Sequence, residues 1–473
     1  MGERNDWLKA RELLLTGDAK AAEEQRKAGR QTARERIAGL LDPATFVELD
    51  AFAEEAAVVV GFGLIEERPV YVWAQDATVL GGSMGEKQAR KIGKALELAG
   101  KTGTPVVALC DSQGARLTEG VAALSAYAEV AQAMSALSGV VPQIAVVMGP
   151  CIGTSALLAT LCDFVIGCDK TASLLVAPAA TGYADEMPAD IACMVTDDEA
   201  QALSAARTLV SLLPSNSADD APMGMGADDW NRAIPAFAQG QIGDAMEAIT
   251  ALADHGIAHE LYAAWGRSLV TAFAGMGGRT VGIVASQAAH EGGALCPAAC
   301  DKAARFIRLC DAYHIPVVSL VDTVGLAHAA SSSAMLKSAG RLLSVLAAAT
   351  TPKISVLAGK AIGMGYVVMG SKALGADVCY AWPGATLLPM DGVAMAQIMA
   401  ADKIGSVDPV GDRQALGDDY AAEHGDPMLA AQANLIDDVI EPEQTRTMLI
   451  AALEMLAGKR VVAPPRKQHL MPL

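Results

Sequence analysis

Residues 104–114, TPVVALCDSQG, return 211 positions later as IPVVSLVDTVG at 315–325. The segments before them correspond too, Lys91 with Lys302 and Leu98 with Leu309, and PQIAVVMG at 142–149 pairs with PKISVLAG at 352–359. Ile152-Gly153 then matches Ile362-Gly363. Upstream, Glu48-Leu49 matches Glu260-Leu261, and Arg68 and Val70 match Arg279 and Val281. An offset this steady means that one folding unit occurs twice. Each copy reads as an amphipathic helix (33–41 and 245–253), strand-like runs, a helix and an apolar strand ending in a Gly loop. After another helix comes a second apolar strand with a second Gly loop. Apolar runs of about six residues alternating with helices indicate parallel strands buried on both faces within βα units. The Pro-, Ser- and Asp-rich stretch 214–229 is where the copies join, giving two α/β domains, 1–222 and 223–473.

Composition narrows the function. Hydrophobic residues make up 52% and charged residues 19%, which excludes disorder, and aromatics at 4% leave a core of Ala, Val, Leu and Ile. Lys plus Arg number 36 against 54 Asp plus Glu, a net charge of −18 that argues against nucleic acid as a partner. An anionic ligand then needs a local cationic or amide-rich pocket. The nine Cys are scattered with no CxxC pair, as in a reducing compartment, and weigh against structural zinc, so no metal is expected. The N-terminus MGERNDWLKARELLL reads as no signal peptide, and the expected location is cytoplasmic or peripheral to a membrane complex. Residues 130–162 carry no charge and are long enough for a membrane span. However, Pro142, Gln143, Gly149, Pro150 and Gly153 cut them into strand, turn and helix, so buried core is expected.

Two familiar motifs fail on context. Gly61-Phe-Gly-Leu-Ile-Glu66 holds two glycines of a dinucleotide fingerprint, but Glu66 stands where the third belongs and the segment joins two strand-like runs, so a hairpin or a bulge is expected. Gly81-Gly-Ser83-Met-Gly85 matches a nucleophile elbow between a strand and a helix. Downstream His290, His314 and His328 stand in no recognisable triad context, so a Gly-rich turn is the ordinary reading and a serine hydrolase the competing one. The paired Gly loops carry the better chemical signal. In the first half these are Asp111-Ser-Gln-Gly114-Ala115 and Gly149-Pro-Cys-Ile-Gly153-Thr154; in the second, Asp322-Thr-Val-Gly325-Leu326 and Gly359-Lys-Ala-Ile-Gly363-Met364-Gly365. Main-chain N–H groups at two adjacent turns can clamp a developing oxyanion. Gly serves equally where helices pack tightly on a sheet, and the pair's presence in both halves favours two oxyanion sites.

The chain resembles the carboxyltransferase (β) subunits of biotin-dependent acyl-CoA carboxylases and decarboxylases. The resemblance rests on TARERI (32–37), FVELD (46–50), QDATVLGGSMGE (75–86), GARLTEG (114–120), KAARFIR (302–308), KAIGMGY (360–366), AWP (381–383), IDDVI (436–440), Thr445-Arg446 and PPRK (464–467). It implies two crotonase-like domains in tandem and transfer of CO2 between carboxybiotin and the α-carbon of a short-chain acyl-CoA of the acetyl, propionyl/methylmalonyl or glutaconyl type. By resemblance, Gly114, Ala115, Gly153 and Thr154 hold the thioester enolate oxygen, and Gly325, Leu326, Met364 and Gly365 hold the biotin ureido oxygen. Gly363, Tyr366 and Val367 fall at the biotin-binding turn. The implied partners are a biotinyl carrier protein, a biotin carboxylase or membrane decarboxylase subunit, and further copies of the chain in a dimer stacked into a hexamer. The α-subunit of a sodium-pumping decarboxylase is the alternative within the family, and a non-catalytic scaffold the alternative outside it.

The sequence departs from the family at its most characteristic turns. Gln113 replaces a Gly in DSGGAR, Ile152-Gly-Thr-Ser155 replaces AGGA, Ile362-Gly-Met-Gly-Tyr-Val367 replaces YGGAYD, and Asp322-Thr-Val-Gly-Leu326 replaces DVPGF. The stretch around 181–196 is shortened. Backbone donors survive such replacements, while the acyl pocket is expected to change. The basic run Arg26, Lys27, Arg30, Arg34, Arg36 reads ordinarily as a solvated helical face; as a site for CoA phosphates it offers Arg30 and Arg34.

Overall fold

The computed structural model describes all residues except 1–6, 9, 10, 12–14, 16, 54, 178–186, 225–227, 329–331, 406, 463–469, 471 and 473. The family-like PPRK motif and residues 181–186 of the shortened stretch lie outside the described residues. The chain divides into two compact units, Met1–Asp220 and Ala221–Leu473.

The first unit is built on strands β1 (Val47–Leu49), β2 (Val58–Ile65), β3 (Arg68–Gln75), β4 (Val106–Ser112), β5 (Gln143–Ile152), β6 (Phe164–Cys168), β7 (Ser173–Leu175) and β8 (Met194–Thr196). Their order is β1-β2-β3-β4-β5-β6-β8, with β7 also on β5. β1, β2 and β3 are antiparallel, and every pairing from β3 onward is parallel. The second unit repeats the plan with β9 (Ala258–Leu261), β10 (Leu269–Met276), β11 (Arg279–Ser286), β12 (Val317–Thr323), β13 (Lys353–Ile362), β14 (Val378–Ala381), β15 (Thr386–Leu388) and β16 (Asp438–Val439). It also carries helices Gly392–Met399, Pro409–His424 and Pro427–Gln432 between β15 and β16.

Local chemistry accounts for these elements. Helix Ala33–Leu40 begins on a capping box in which Thr32 and Glu35 satisfy each other's backbone N–H groups. Helix Glu86–Thr102 buries Ala89, Ile92, Ala95, Leu96 and Ala99, a stripe at helical spacing, and stops at Gly103 in the left-handed region. All seven residues of β4 are buried, as the apolar run Val106–Cys110 implies for a strand covered on both faces, with Asp111 and Ser112 buried beyond it. The Gly61-to-Glu66 segment is the expected hairpin, β2 turning into β3 through Glu66 and Glu67 at positive φ. The uncharged stretch ends one helix, forms β5 and starts the short helix Thr154–Thr160. No helix among the described residues is long and apolar enough to cross a membrane.

Buried cations mark the repeat. The ammonium of Lys91 donates to the Val58 carbonyl at 3.1 Å, and that of its counterpart Lys302 donates to the carbonyls of Leu269, Trp265 and Tyr262 at 2.7, 2.9 and 3.0 Å. The equivalence continues past the point where the constant offset ends. Arg207, in helix Glu199–Leu212, donates to the Leu40 carbonyl and to Asp42; Arg446, in helix Thr445–Leu456, donates to the Leu252 carbonyl and to Asp254. Arg446 lies 239 positions after Arg207 rather than 211, because the three added helices intervene. The AWP and Thr445-Arg446 motifs also meet here, with Trp382 Nε1 donating to Thr445 Oγ1 at 2.9 Å.

Candidate active site

Both strands that feed the first Gly loops carry an irregularity at the same place. The pairing of β4 with β5 shifts register between Cys110 and Ser112, and that of β12 with β13 between Val321 and Thr323. Each shift brackets an aspartate, Asp111 or Asp322, and re-aims the chain beyond it. Each aspartate lies over a glycine of the neighbouring strand. A Cβ on Gly149 would fall 2.2 Å from Asp111 Oδ1, and one on Gly359 would fall 2.4 Å from Asp322 Oδ1. Asp111 is buried and held by Arg30 at 2.8 Å and by Arg36 at 2.9 Å, and Arg36 in turn grips Glu199 at 2.6 Å. Arg36 is itself fully buried, and its charge is kept by those two carboxylates against the cost of desolvation. Asp322 instead accepts the Lys360 N–H at 2.9 Å.

Beyond the shift, each loop comes against the second Gly loop of its own unit. Gly114 has φ +98°, and a Cβ there would lie 3.0 Å from the Ile152 carbonyl oxygen; Gly325 has φ +114° and would approach the Ile362 carbonyl to 3.5 Å. A Cβ on Gly365 would fall 2.7 Å from Gly325 Cα, so the backbones nearly touch and only glycine fits. The structure thus brings Gly114–Ala115 beside Gly153–Thr154, and Gly325–Leu326 beside Gly363–Gly365.

The hydrogen bonds decide which N–H groups remain available. The N–H of Gly114 donates to Ser112 Oγ at 3.1 Å, that of Gly153 to the Leu175 carbonyl at 2.7 Å, and that of Gly325 to Thr323 Oγ1 at 3.1 Å. These three glycines therefore shape the loops without offering a free donor. The Gly114 carbonyl accepts from Met84 N–H at 2.9 Å, which in a trans peptide turns the Ala115 N–H the other way; the Gly325 carbonyl accepts from Leu295 N–H at 2.9 Å and so orients Leu326 N–H. Among the described residues no acceptor engages the N–H of Ala115 or Thr154, nor those of Leu326, Met364 and Gly365. Each unit thus leaves N–H groups on both of its loops without a described protein acceptor. Such donors contribute about 3 kcal/mol each when aimed at a developing oxyanion.

The remaining expected site residues are placed as follows. Tyr366 is buried, and its hydroxyl donates to the Leu435 carbonyl at 3.4 Å, with burial raising the phenol above its ordinary value. Val367 is half-buried at the end of helix Gly363–Val367. Arg30 pairs with Asp111, and Arg34 pairs with Glu48 at 2.8 Å, so both guanidinium groups already face carboxylates. Arg34 also lines a cavity of about 610 Å³ in the first unit, together with Arg26, Lys91, Ala57, Thr78 and Val79. The cavity's lining runs to Val79, two residues before Gly81, whose carbonyl accepts the Gln113 N–H at 3.0 Å. The Gln113 side chain lies over Gly81, where a Cβ would come within 2.7 Å of it. In the second unit a cavity of about 420 Å³ is lined by Leu326, Ala327, His328, Val324, Glu291 and Asp391. Ser83 belongs to the Gly-rich turn: its carbonyl accepts from Arg116 at 2.9 Å, and the unit that carries it contains no histidine at all. Sequence reasoning missed the buried hydroxyls Ser112, Ser155 and Tyr127, which lie directly behind the first loop pair; the Thr-Ser departure at 154–155 was their only visible trace.

Comparison with known proteins shows the family. The carboxyl transferase domain model matches residues 24–184 and 190–471. The methylmalonyl-CoA decarboxylase subunit alpha of Propionigenium modestum is 35% identical, over 98% of this chain and 98% of its own. The propionyl-CoA carboxylase beta chain of Saccharopolyspora erythraea is also 35% identical, over 98% of this chain and 94% of its own. Among solved structures, a transcarboxylase 12S hexamer assembly with methylmalonyl-coenzyme A and methylmalonic acid bound superposes with a TM-score of 0.94 at 34% identity, covering 100% of this chain and 98% of that one. Matched along nearly its whole length by this domain model and these relatives, this chain of two tandem crotonase-like units belongs to the carboxyl transferase family.

Proposed function

We propose that the chain is the carboxyltransferase component of a biotin-dependent system, moving a carboxyl group between biotin on a partner carrier protein and the α-carbon of a short-chain acyl-CoA. The observation that carries this is the doubled donor site: unengaged N–H groups from two adjacent loops, present once in each unit. Transfer at an α-carbon passes through a thioester enolate, and the reaction needs an oxygen anion stabilised on each partner. The first unit takes the acyl-CoA, with Ala115 and Thr154 N–H on the thioester oxygen and Gly114 and Gly153 shaping the approach. The cavity that runs to Val79, with Arg26, Arg34 and Lys91 set among Glu35, Glu48 and Glu55 on its wall, receives part of the CoA moiety. The second unit takes the biotin head, with Leu326, Met364 and Gly365 N–H on its ureido oxygen beside the 420 Å³ cavity. The ureido oxygen, on which negative charge develops as the carboxyl group leaves, faces those donors, and we assign Gly363, Tyr366 and Val367 to the same turn. Biotin supplies the ureido nitrogen that carries the carboxyl group; this chain orients, desolvates and stabilises charge, and needs no side-chain nucleophile.

Methylmalonyl/propionyl-CoA is the substrate pair we favour, because relatives named for it match nearly the full length. The direction of transfer is set by the partner, a biotin carboxylase or a membrane decarboxylase subunit. Around the first site Leu117, Val121, Leu157 and Val176 are 89%, 83%, 64% and 93% exposed. An apolar rim of that kind supports a second copy of the chain closing over it, within a dimer and a hexamer like that of the transcarboxylase 12S structure. The location that fits these partners is cytoplasmic. The test is release of CO2 from malonyl-, methylmalonyl- and glutaconyl-CoA with and without biocytin. Biotin-stimulated turnover of methylmalonyl-CoA is expected. Folded protein that binds acyl-CoA yet shows no biotin-dependent turnover of any of the three would overturn the assignment.

A further inference from the structure

Behind the first pair of loops runs a chain of buried hydroxyls. Tyr127, on helix Val121–Leu137, meets Ser155 Oγ at 2.6 Å, Ser155 Oγ donates to Ser112 Oγ at 3.0 Å, and Ser112 Oγ accepts the Gly114 N–H at 3.1 Å. The three side chains are 4%, 2% and 1% exposed. Because Ser155 spends its one proton on Ser112, the Tyr127 hydroxyl must donate to Ser155. Ser112 thereby receives two donors, one from each loop. Burial raises the Tyr127 phenol above its ordinary value, and its contacts with Ser155, Thr154 and Ser112 pull it partly back, so it stays a protonated donor.

The second unit lacks this chain at every link but one. Thr323, the counterpart of Ser112, donates to the Gly293 carbonyl at 2.7 Å and accepts the Gly325 N–H, closing locally. Gly365 stands where Ser155 does, and its backbone rests on Gly325, where no side chain fits. Ser338 stands where Tyr127 does and donates to Asp301 at 3.0 Å. The same loop pair is thus spaced by backbone contact in one unit and by side-chain hydroxyls in the other.

We infer that Tyr127 and Ser155 are positioning residues of the first oxyanion site, setting through Ser112 the separation and aim of the Ala115 and Thr154 N–H donors. This rests on the function proposed above. It follows from where the chain attaches: Ser155 adjoins Thr154, and Ser112 holds the Gly114 peptide whose other neighbour presents the Ala115 N–H. A donor displaced by a fraction of an ångström still binds a neutral thioester but stabilises its enolate poorly. The hydroxyl chain therefore acts on the charged state and not on the resting complex.

The experiment compares Tyr127→Phe, Ser155→Ala and their double variant with the unaltered full-length protein. Two readouts are used: biotin-dependent turnover of methylmalonyl-CoA, and affinity for a CoA thioether bearing a nitronate, whose oxygens stand where the enolate oxygen would. The two single variants are expected to lose roughly tenfold in kcat and in nitronate affinity, with KM and the affinity for free CoA changed by less than about twofold. The double variant should lose little more than either single one, because both break the same chain. Folded variants with unchanged kcat and nitronate affinity would overturn the inference. So would parallel losses in CoA and nitronate affinity, which are the signature of packing damage alone. If the unaltered protein binds the nitronate no better than CoA, the parent assignment fails first, before any substitution is compared.

Discussion

Gly153→Ala separates backbone conformation from packing at the centre of the first site. Gly153 has φ +62° and ψ −122°, a combination that residues with a side chain avoid. The added methyl has room, since the nearest atom to a Cβ there is the Val176 carbonyl oxygen at 3.7 Å. No clash contributes, and the whole cost is torsional, about 1–3 kcal/mol. The chain relieves it by rotating the 153–154 peptide, which swings the Thr154 N–H off the ligand oxygen. Losing one such donor costs about 3 kcal/mol in the transition state, or roughly a hundredfold in kcat. The expected outcome is a protein that melts a few degrees lower and binds CoA normally, with biotin-dependent turnover of methylmalonyl-CoA down by about two orders of magnitude. Gly240→Ala supplies the control, because Gly240 also has positive φ, at +68°, and open space around its Cβ, but lies in no Gly loop. That variant should lose stability and keep kcat. A folded Gly153→Ala protein with unaltered kcat would refute the assignment of Thr154 N–H to the oxyanion.

Two further outcomes concern the frame around the sites. Arg36→Met leaves Asp111 and Glu199 buried without their shared cation and should lower unfolding free energy by about 3–5 kcal/mol in urea titrations; a loss under about 1 kcal/mol would mean that the ion network is not buried as described. Burial pushes the Lys302 ammonium down from 10.5 to about 8. Between those values the unfolded chain holds a proton that the folded chain has released, so the contribution of this group to stability rises with pH through that window, by up to about 3 kcal/mol. The unfolding free energy of the unaltered protein relative to Lys302→Met should therefore climb between pH 7.5 and 9.5, and a flat or falling difference would contradict the burial.

Much of the fold was legible because it rests on local or repeated signals. Unbroken apolar runs such as β4 and β12 announce parallel strands, the Thr32–Glu35 box announces a helix start, and the fixed offset between halves duplicates every inference. Where the offset changes, the signal fades. Arg207 and Arg446 do the same work on the same carbonyl-and-carboxylate pair, yet three helices inserted in one unit hide that equivalence from any constant shift. The basic run at 26–36 was ambiguous for a related reason. Charge along a segment says nothing of its partners, and Arg30, Arg34 and Arg36 find theirs at Asp111, Glu48 and Glu199.

By itself the sequence determined that this chain holds two copies of one α/β unit, where its buried strands run, and that glycine-bearing turns end them in matched pairs. Tertiary structure alone decided what those turns offer. Of the eight residues singled out at the loops, Gly114, Gly153 and Gly325 spend their N–H groups on Ser112, Leu175 and Thr323, while no described acceptor engages those of Ala115, Thr154, Leu326, Met364 and Gly365. An N–H group's direction depends on the torsions around it and on acceptors supplied by distant residues, and neither is written in the identity of the residue that bears it.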